Sequence, residues 1–288
     1  MRYNRSVADL RSDTAVTRLD AAPGWYTAHL PDRWNFVTPS GGVLMTVAMR
    51  AMQAELDDSG LRPVGAHTVF CSPVPHGPLE VRVEVLRRGN AAAQVRAALS
   101  STAVPGPGLE VTATFARDRT GPDVLAAAPP PARPVDAAPD LRVDEPGNPH
   151  ERYAFFRNFD VRLAIGDAWW RPGWTGGTAR HGRWYRYLTP QCDRDGLLDP
   201  LALPPIADTM PSSLVQYLGP DAERFHAPSL DLTVHFVDDT ARQWLLVSTY
   251  CRRARAGYAT AEAEIWTDDG RLVAFATQTM MLRRRRAP

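Results

Sequence analysis

Apolar and polar residues alternate over several stretches of this chain, and the alternation predicts β-strands. Between Leu79 and Val85 every second residue is apolar and the residues between them are charged, which is typical of a strand with one buried face. The same half contains further predicted strands, at 14–29 (a pair), 65–71, 91–100 and 109–117. The first half therefore ends in four strands that can pair into a sheet.

A helix is predicted between these strands, from about Gly41 to Leu56. Apolar residues occupy almost all of its faces: Val43, Leu44, Met45, Val47, Ala48, Met49, Ala51 and Met52. A helix without a polar stripe must be enclosed on most sides. An antiparallel sheet wrapped around one central helix meets that demand, so the pattern predicts an α+β fold.

The second half repeats this order of elements. Its strands are predicted at 159–167, 182–187, 229–236, 244–253, 258–267 and 272–283, with the hairpin turn at 268–270. A helix ending near Leu218 has apolar residues at every fourth position, and Pro211 either begins it or kinks it. Aligning Gly89 with Gly257 gives an offset of roughly 168 residues and places Ser40 opposite Asp208. We therefore expect one unit used twice, with the chemistry in one half.

A stretch rich in proline and alanine separates the two halves. Proline fixes an extended backbone and lacks an N–H donor, so residues 121–150 are expected to form a semi-rigid linker. The predicted organisation is an N-terminal unit at 1–120, this linker, and a C-terminal unit at 151–288 that carries the candidate catalytic residues.

Charge and composition exclude several classes of function. The 288 residues include 33 basic and 32 acidic side chains, so no overall field favours nucleic acid or an anionic membrane, and neither partner is predicted. The chain has no lysine, which excludes Schiff-base chemistry and the phosphate-binding loop that needs lysine. Cys71, Cys192 and Cys251 are too widely spaced to suggest a disulfide framework or a zinc site.

The apolar pattern also gives an expectation for where the protein is located. Residues 1–6 lead into polar sequence, and no stretch of about 18 apolar residues occurs, so we expect a cytoplasmic protein. The arginine run at 283–286 is expected to be a solvated tail.

Five residues are candidates for chemistry, and each also has a structural interpretation. Asp208 is a general base or the N-cap of the second helix. Ser229 is a catalytic hydroxyl or begins a strand, and Gln278 places an amide in an apolar row where it needs partners. Gly41 and Gly42 allow either a substrate or a packed helix to approach the backbone closely.

Other polar and aromatic residues compete with these candidates. Asp231 lies on the same side of its strand as Ser229 and is a rival acid. His67 and His235 occupy similar places in the two halves and are expected to be core or rim residues, since no metal-ligand spacing accompanies them. The tryptophans form either a packed loop region or a wall of an acyl pocket: Trp169, Trp170, Trp174 and Trp184.

Three segments of the chain are motifs of a known family: Gly41-Gly42, the run from Ser229 to Phe236, and Ala276-Thr277-Gln278 followed by Leu282-Arg283. In these segments the chain resembles the bacterial acyl-CoA thioesterase II group and the wider double-hotdog thioesterase-like family. The resemblance implies an α+β double hotdog, with two antiparallel sheets each wrapped around a central helix. It also implies hydrolysis of acyl-CoA thioesters, with no metal or other cofactor.

Carried over residue by residue, the resemblance assigns the catalytic group to Asp208, Ser229 and Gln278, with Gly41 and Gly42 at the substrate. The family has threonine where this chain has Ser229. The expected mechanism is attack by a water that Asp208 activates while a helix N-terminus stabilises the oxyanion. A non-catalytic acyl-CoA or lipid-binding protein is the alternative, and a dehydratase would need an Asp/His or Glu/His pair that the motifs lack. Acyl length, the thiol carrier and assembly into a homo-oligomer stay open.

Overall fold

The computed structural model describes residues 8–141, 144–148, 150–223 and 225–284. Among these residues the first half contains six strands: β1 (Val16–Arg18), β2 (Trp25–Leu30), β3 (Arg62–Phe70), β4 (Gly77–Arg88), β5 (Ala92–Ser101) and β6 (Leu109–Ala116). The second half contains β7 (Phe159–Ile165), β8 (Arg180–Tyr187), β9 (Phe225–His226), β10 (Asp231–Phe236), β11 (Leu245–Arg255), β12 (Tyr258–Thr267), β13 (Leu272–Met281) and β14 (Arg283–Arg284). The α-helices are α1 (Leu10–Asp13), α2 (Gly41–Leu56), α3 (Leu203–Ala207) and α4 (Pro211–Leu218).

Twelve of these strands form one antiparallel sheet. Its order is β1-β2-β4-β5-β6-β3-β10-β13-β12-β11-β8-β7. Read outwards from the β3–β10 pair, the two halves place their strands in the same sequence, as a unit used twice requires. The expectation of two separate sheets is corrected, because β3 and β10 pair from Asp231 with Val69 to His235 with Gly65. This pairing removes two sheet edges whose backbone groups would otherwise lack partners.

Helix α2 has the bounds that its apolar pattern predicts, and the sheet encloses it. Eleven of its 16 residues are buried, and it contacts β4, β5 and β6 as well as α3. The helix ends where Asp57 adopts the left-handed conformation, with φ 44°. Burial of nearly every face explains why the sequence tolerates no polar stripe here.

The second helical region is broken into two helices. Helix α3 ends at Ala207 and α4 begins at Pro211, with Asp208 in the break. Pro211 has no N–H, and its ring would clash with the carbonyl of Ala207 in a continuous helix. The break turns the Asp208 side chain away from its own helices and towards α2.

Part of the predicted linker packs on the outer face of the sheet. Arg133 N donates to Ala164 O at 3.0 Å, Leu141 N donates to Val161 O at 2.8 Å, and the Trp184 indole donates to Arg133 O at 2.8 Å. Residues 133–141 therefore cover β7 and β8 rather than spanning open solvent. The predicted domain boundaries themselves stay a prediction.

The chain ends are described only in part. Arg283 and Arg284 pair with β9, while the rest of the arginine run and residues 1–6 lie outside the described residues. Within the described ranges, no helix is long and apolar enough to cross a membrane.

Candidate active site

The three predicted polar residues meet although 70 positions separate the first from the last. Asp208 lies in the break between α3 and α4, and Ser229 precedes β10, where it forms a bridge to Met280 of β13. Gln278 lies on β13 with its side chain on the buried face. Asp208 Oδ1 accepts from Gln278 Nε2 at 2.5 Å and from Ser229 Oγ at 3.1 Å, and Gln278 Nε2 is 2.8 Å from Ser229 Oγ.

The second carboxylate oxygen contacts the other half of the chain. Asp208 Oδ2 accepts from Gly42 N at 3.0 Å and from Ser40 Oγ at 3.2 Å. The carboxylate therefore caps the N-terminus of α2, where the helix dipole favours a negative charge. It does not cap its own helix, because the residue at the N-cap of α4 is Met210.

The two positions that the internal repeat places opposite each other are direct neighbours. Ser40 and Asp208 are 168 positions apart and share a hydrogen bond. The same offset places buried Leu61 opposite Ser229. The carboxylate thus has no counterpart in the first half, and its two hydroxyl donors come from both halves, Ser229 from the second and Ser40 from the first.

Burial raises the pKa of the Asp208 carboxyl above its ordinary value of 3.8. The hydrogen bonds from Gly42, Gln278, Ser229 and Ser40 act in the opposite direction and do not cancel the loss of solvation. A carboxylate with a raised pKa binds a proton more strongly than an exposed one, so it is better suited to act as a general base.

Gln278 also carries a buried acceptor that no described residue satisfies. Its Nε2 faces the carboxylate, which fixes the orientation of the amide and leaves Oε1 without a donor from the described part of the protein. Buried polar atoms almost always have a partner. A water beside this amide would donate a proton to Oε1, so the site places an unsatisfied acceptor next to a buried carboxylate.

The two glycines have different surroundings. A Cβ on Gly42 would lie 2.1 Å from Pro204 O, so Gly42 permits the close packing of α2 on α3, and its N–H is already bonded to Asp208. A Cβ on Gly41 would lie 2.5 Å from the tip of the Phe70 ring and 3.1 Å from Asp208 Oδ2. The Gly41 N–H has no acceptor among the described residues. It is therefore a free helix N-terminal donor beside the carboxylate, under the ring of Phe70.

Two residues of this site were not among the sequence candidates. Ser40 appeared only as the position opposite Asp208, and the repeat was the signal that could have identified it. Phe70 ends β3, and only its neighbour across the sheet, Leu230, places it near Ser229. No local pattern marks Phe70, because its role depends on β3 pairing with the second half.

The competing residues lie elsewhere. Asp231 Oδ1 accepts from Thr279 N at 2.8 Å and so ties β10 to β13. His67 and His235 are exposed, with His67 Nδ1 2.8 Å from Thr233 Oγ1. Within the described ranges, no group of three or more histidine, cysteine or acidic residues could hold a metal. The four tryptophans do not all lie in one place, because Trp184 packs beneath residues 132–138 on the outer face of the sheet.

Solved structures resemble the chain over nearly its whole length. A protein of unknown function with a hotdog fold from Alicyclobacillus acidocaldarius has a TM-score of 0.78 at 20% identity, covering 97% of this chain and 98% of its own. Acyl-CoA thioesterase II TesB2 from Mycobacterium marinum has a TM-score of 0.70 at 22% identity, with coverage of 96% and 99%. The dehydratase domain of RzxB from Pseudomonas fluorescens has a TM-score of 0.55 at 12% identity, with coverage of 89% and 94%.

Fold and site together define a hotdog protein with a buried Asp–Ser–Gln group at the junction of its halves. No curated protein sequence matches the chain. The profile of the acyl-CoA thioesterase N-terminal domain matches residues 30–116, and that of the acyl-CoA thioesterase C-terminal domain matches residues 130–282. Because the second profile alone matches more than half of it, the chain belongs to the acyl-CoA thioesterase family.

Proposed function

We propose that this protein hydrolyses acyl-CoA thioesters with Asp208 as the general base. The observation that carries the proposal is the buried carboxylate with a raised pKa beside the unsatisfied Gln278 Oε1. A general base needs a carboxylate that binds protons well, and it needs a second group that holds the attacking water in place.

In this proposal the water lies between the carboxylate and the amide. Gln278 Oε1 accepts one of its protons, while Ser229 holds the carboxylate in position. Asp208 takes the other proton as the water oxygen bonds to the thioester carbonyl carbon. The C–S bond then breaks, and the proton on Asp208 passes to the departing thiolate, which gives free acid and thiol.

The developing negative charge on the carbonyl oxygen needs donors of its own. The free Gly41 N–H at the start of α2 is the donor that the site offers, reinforced by the helix dipole. General base catalysis contributes on the order of 10²–10⁴ in rate, and one oxyanion donor about 10²–10³. In this proposal the general base and the oxyanion donor together supply the rate acceleration, and no metal takes part.

The fold alone does not select this chemistry, because structural neighbours include a dehydratase domain. The donors to Asp208 are two serines, a backbone N–H and an amide, and no described histidine is among them. A carboxylate surrounded by such groups favours activation of water over the paired acid–base chemistry of a dehydratase.

A panel of acyl-CoA substrates of graded chain length tests the proposal. Release of free thiol, followed with a chromogenic thiol reagent, is expected to show saturable turnover for at least one length. Saturable binding of every acyl-CoA without thiol release would contradict it and favour the non-catalytic acyl-CoA or lipid-binding alternative. The same panel on pantetheine attached to a carrier protein distinguishes the two kinds of thiol carrier.

A further inference from the structure

A second group of buried polar atoms without partners lies away from Asp208, around the inner face of β8. The cluster consists of His150, Phe156, Trp169, His181 and Arg183, and we call it the Arg183 cluster. His150 Nδ1, His181 Nε2 and Arg183 Nε are buried and have no hydrogen-bond partner among the described residues. Because buried donors are nearly always satisfied, this concentration calls for a missing partner.

Arg183 carries a buried charge without a counter-charge. Its residue is 3% exposed, and no described carboxylate lies within 4 Å of its guanidinium. Aromatic rings contact it instead, with Cζ 5.2 Å from the Trp169 ring centroid and 5.5 Å from that of Phe156. Arg186, three positions further along the same strand, is half exposed and pairs with Asp160 at 2.7 Å. A buried arginine is strongly unfavourable unless an anion compensates it.

The hydrogen bond between Arg183 and His150 fixes where the histidine carries its proton. Arg183 Nη2 lies 2.9 Å from His150 Nε2, and a guanidinium can only donate, so Nε2 accepts. Burial, together with the charge of Arg183, lowers the pKa of His150 and of His181 well below the ordinary 6.5, so both rings are neutral. The single proton of His150 is therefore on Nδ1, which becomes an unsatisfied donor.

The unsatisfied groups of Arg183 and His150 are thus both donors, and both residues line one cavity. The cavity has a volume of about 10 Å³ and is bounded by Leu141, Asn148, His150, Phe156, Val161 and Arg183. This volume matches roughly one water molecule. A cation does not bind beside hydrogen-bond donors and the positive charge of Arg183, so the ligand must be a hydrogen-bond acceptor. A water could accept from one donor, but it would not neutralise the charge of Arg183.

We propose that Arg183 and His150 form an internal binding site for a carboxylate group. A carboxylate supplies both the negative charge and the acceptor oxygens that the cavity lacks, and it is the group that arginine binds with the best geometry. Because the cavity holds about one water, it admits a single carboxylate oxygen, so the ligand is a short free carboxylate, or the carboxylate end of a chain, that places one oxygen there.

Thermal unfolding of the wild-type protein in increasing formate tests the site directly. Formate is expected to raise the Tm saturably, whereas formamide and an equal ionic strength of a bulky sulfonate do not. Equal effects of formate and the sulfonate would overturn the proposal, and so would no effect of formate, which would mean that water alone occupies the cavity. This comparison needs no variant and therefore does not depend on whether a substitution folds.

Two variants locate the effect. Arg183→Met is expected to weaken formate binding about tenfold or more, because a hydrogen bond to a charged group is lost. Arg186→Met, which removes an arginine of the same strand that already has a carboxylate partner, is expected to leave formate binding unchanged. Equal formate binding by both variants would overturn the assignment to Arg183.

The source of the carboxylate is decided by a matched pair of acyl-CoA substrates, and this arm rests on the proposed thioesterase activity. The two substrates have equal length, and one ends in a methyl group, the other in a carboxylate. If the site binds the end of an acyl chain, Arg183→Met raises KM for the second substrate alone. If KM is unchanged for both while the formate effect is present, a free carboxylate is the ligand. Should neither substrate be hydrolysed, the formate series still decides whether the site exists.

Discussion

Replacing Gly42 with alanine tests whether the close approach of α2 and α3 builds the site. An added Cβ would lie 2.1 Å from Pro204 O, 2.5 Å from Pro204 C and 2.8 Å from Pro205 Cα. These are backbone atoms of a buried helix, so no side-chain rotation can relieve the contact. The distance from the added Cβ to Pro204 O must increase from 2.1 Å to at least the 3.4 Å of ordinary contact, so α2 and α3 must move apart. This movement also lengthens the hydrogen bond from Gly42 N to Asp208.

The cost follows from these displacements. Overpacking of a buried contact costs roughly 1–3 kcal/mol, and weakening a hydrogen bond to a charged group costs about 1.5–3 kcal/mol when the bond is fully lost. Alanine recovers about 1 kcal/mol because it is the better helix former. We expect a net loss of about 2 kcal/mol, which lowers the Tm by roughly 3 °C for a chain of this size.

Gly41→Ala is the matched control. Its Cβ would meet the tip of the Phe70 ring at 2.5 Å, and a partly buried ring can rotate away. The same Cβ would lie 3.1 Å from Asp208 Oδ2, so it disturbs the base and not the packing of the helix backbones. The helix-forming gain then offsets most of the cost, so the Tm stays near that of the wild type while kcat/KM falls. Thermal unfolding by circular dichroism measures both variants. A Gly42→Ala protein as stable as the Gly41→Ala protein would refute the packing argument.

Three further predictions concern the chemistry of the site. Burial raises the pKa of Asp208 above 3.8, and the base must be ionised to act. We therefore expect kcat/KM to fall with decreasing pH, and to do so at a higher pH than for an aspartate whose pKa is 3.8. A value of kcat/KM that stays constant down to pH 3.8 contradicts the base role. Phe70→Ala lets solvent reach Asp208 and lowers the raised pKa of that carboxyl, so the acidic fall of kcat/KM moves to lower pH. If the acidic fall does not move, Phe70 does not shield Asp208 from solvent. Ser229→Ala removes a hydrogen-bond donor to Asp208 and is expected to lower kcat about tenfold or more. Ser229→Thr keeps the hydroxyl and is expected to keep the activity. An equal loss of kcat in both variants would show that the hydroxyl group is not required.

The sequence pattern predicts the elements whose signals are local. Helix α2 is apolar on nearly every face, and its bounds at Gly41 and Leu56 follow from that pattern. The repeat is visible in the order of elements, and it places Ser40 opposite Asp208. Family resemblance, and not periodicity, assigned roles to Ser229 and Gln278, because an isolated serine or glutamine has no pattern that distinguishes catalysis from structure.

Features that depend on contacts between distant segments were not predictable in this way. The joining of the two halves through β3 and β10 requires knowing which sheet edges meet, and each strand has the same alternation whether its edge is paired or exposed. The cap that Asp208 places on α2 crosses between halves for the same reason. Arg183 lacked any signal, since an arginine in a strand is ordinarily exposed and paired.

The variant Asp208→Asn tests the central claim most cleanly, because the surrounding donors can accommodate it. The carbonyl of the introduced asparagine can accept from Gly42 N, and its NH₂ can donate to the Ser229 hydroxyl and, after the glutamine amide rotates, to Gln278 Oε1. Gln278 Nε2 then takes the place that Oε1 held, so the number of unsatisfied amide atoms is unchanged. The fold should therefore be retained, with a Tm close to that of the wild type. Asp231→Asn, an acid on the neighbouring strand that binds a backbone N–H, is the matched control.

The deciding measurement is kcat/KM for thiol release from an acyl-CoA by the wild-type protein and these two variants. The base role predicts that Asp208→Asn remains folded and loses about 10²–10⁴-fold in rate, while Asp231→Asn keeps wild-type activity. A folded Asp208→Asn protein that hydrolyses the thioester at the wild-type rate would contradict the account.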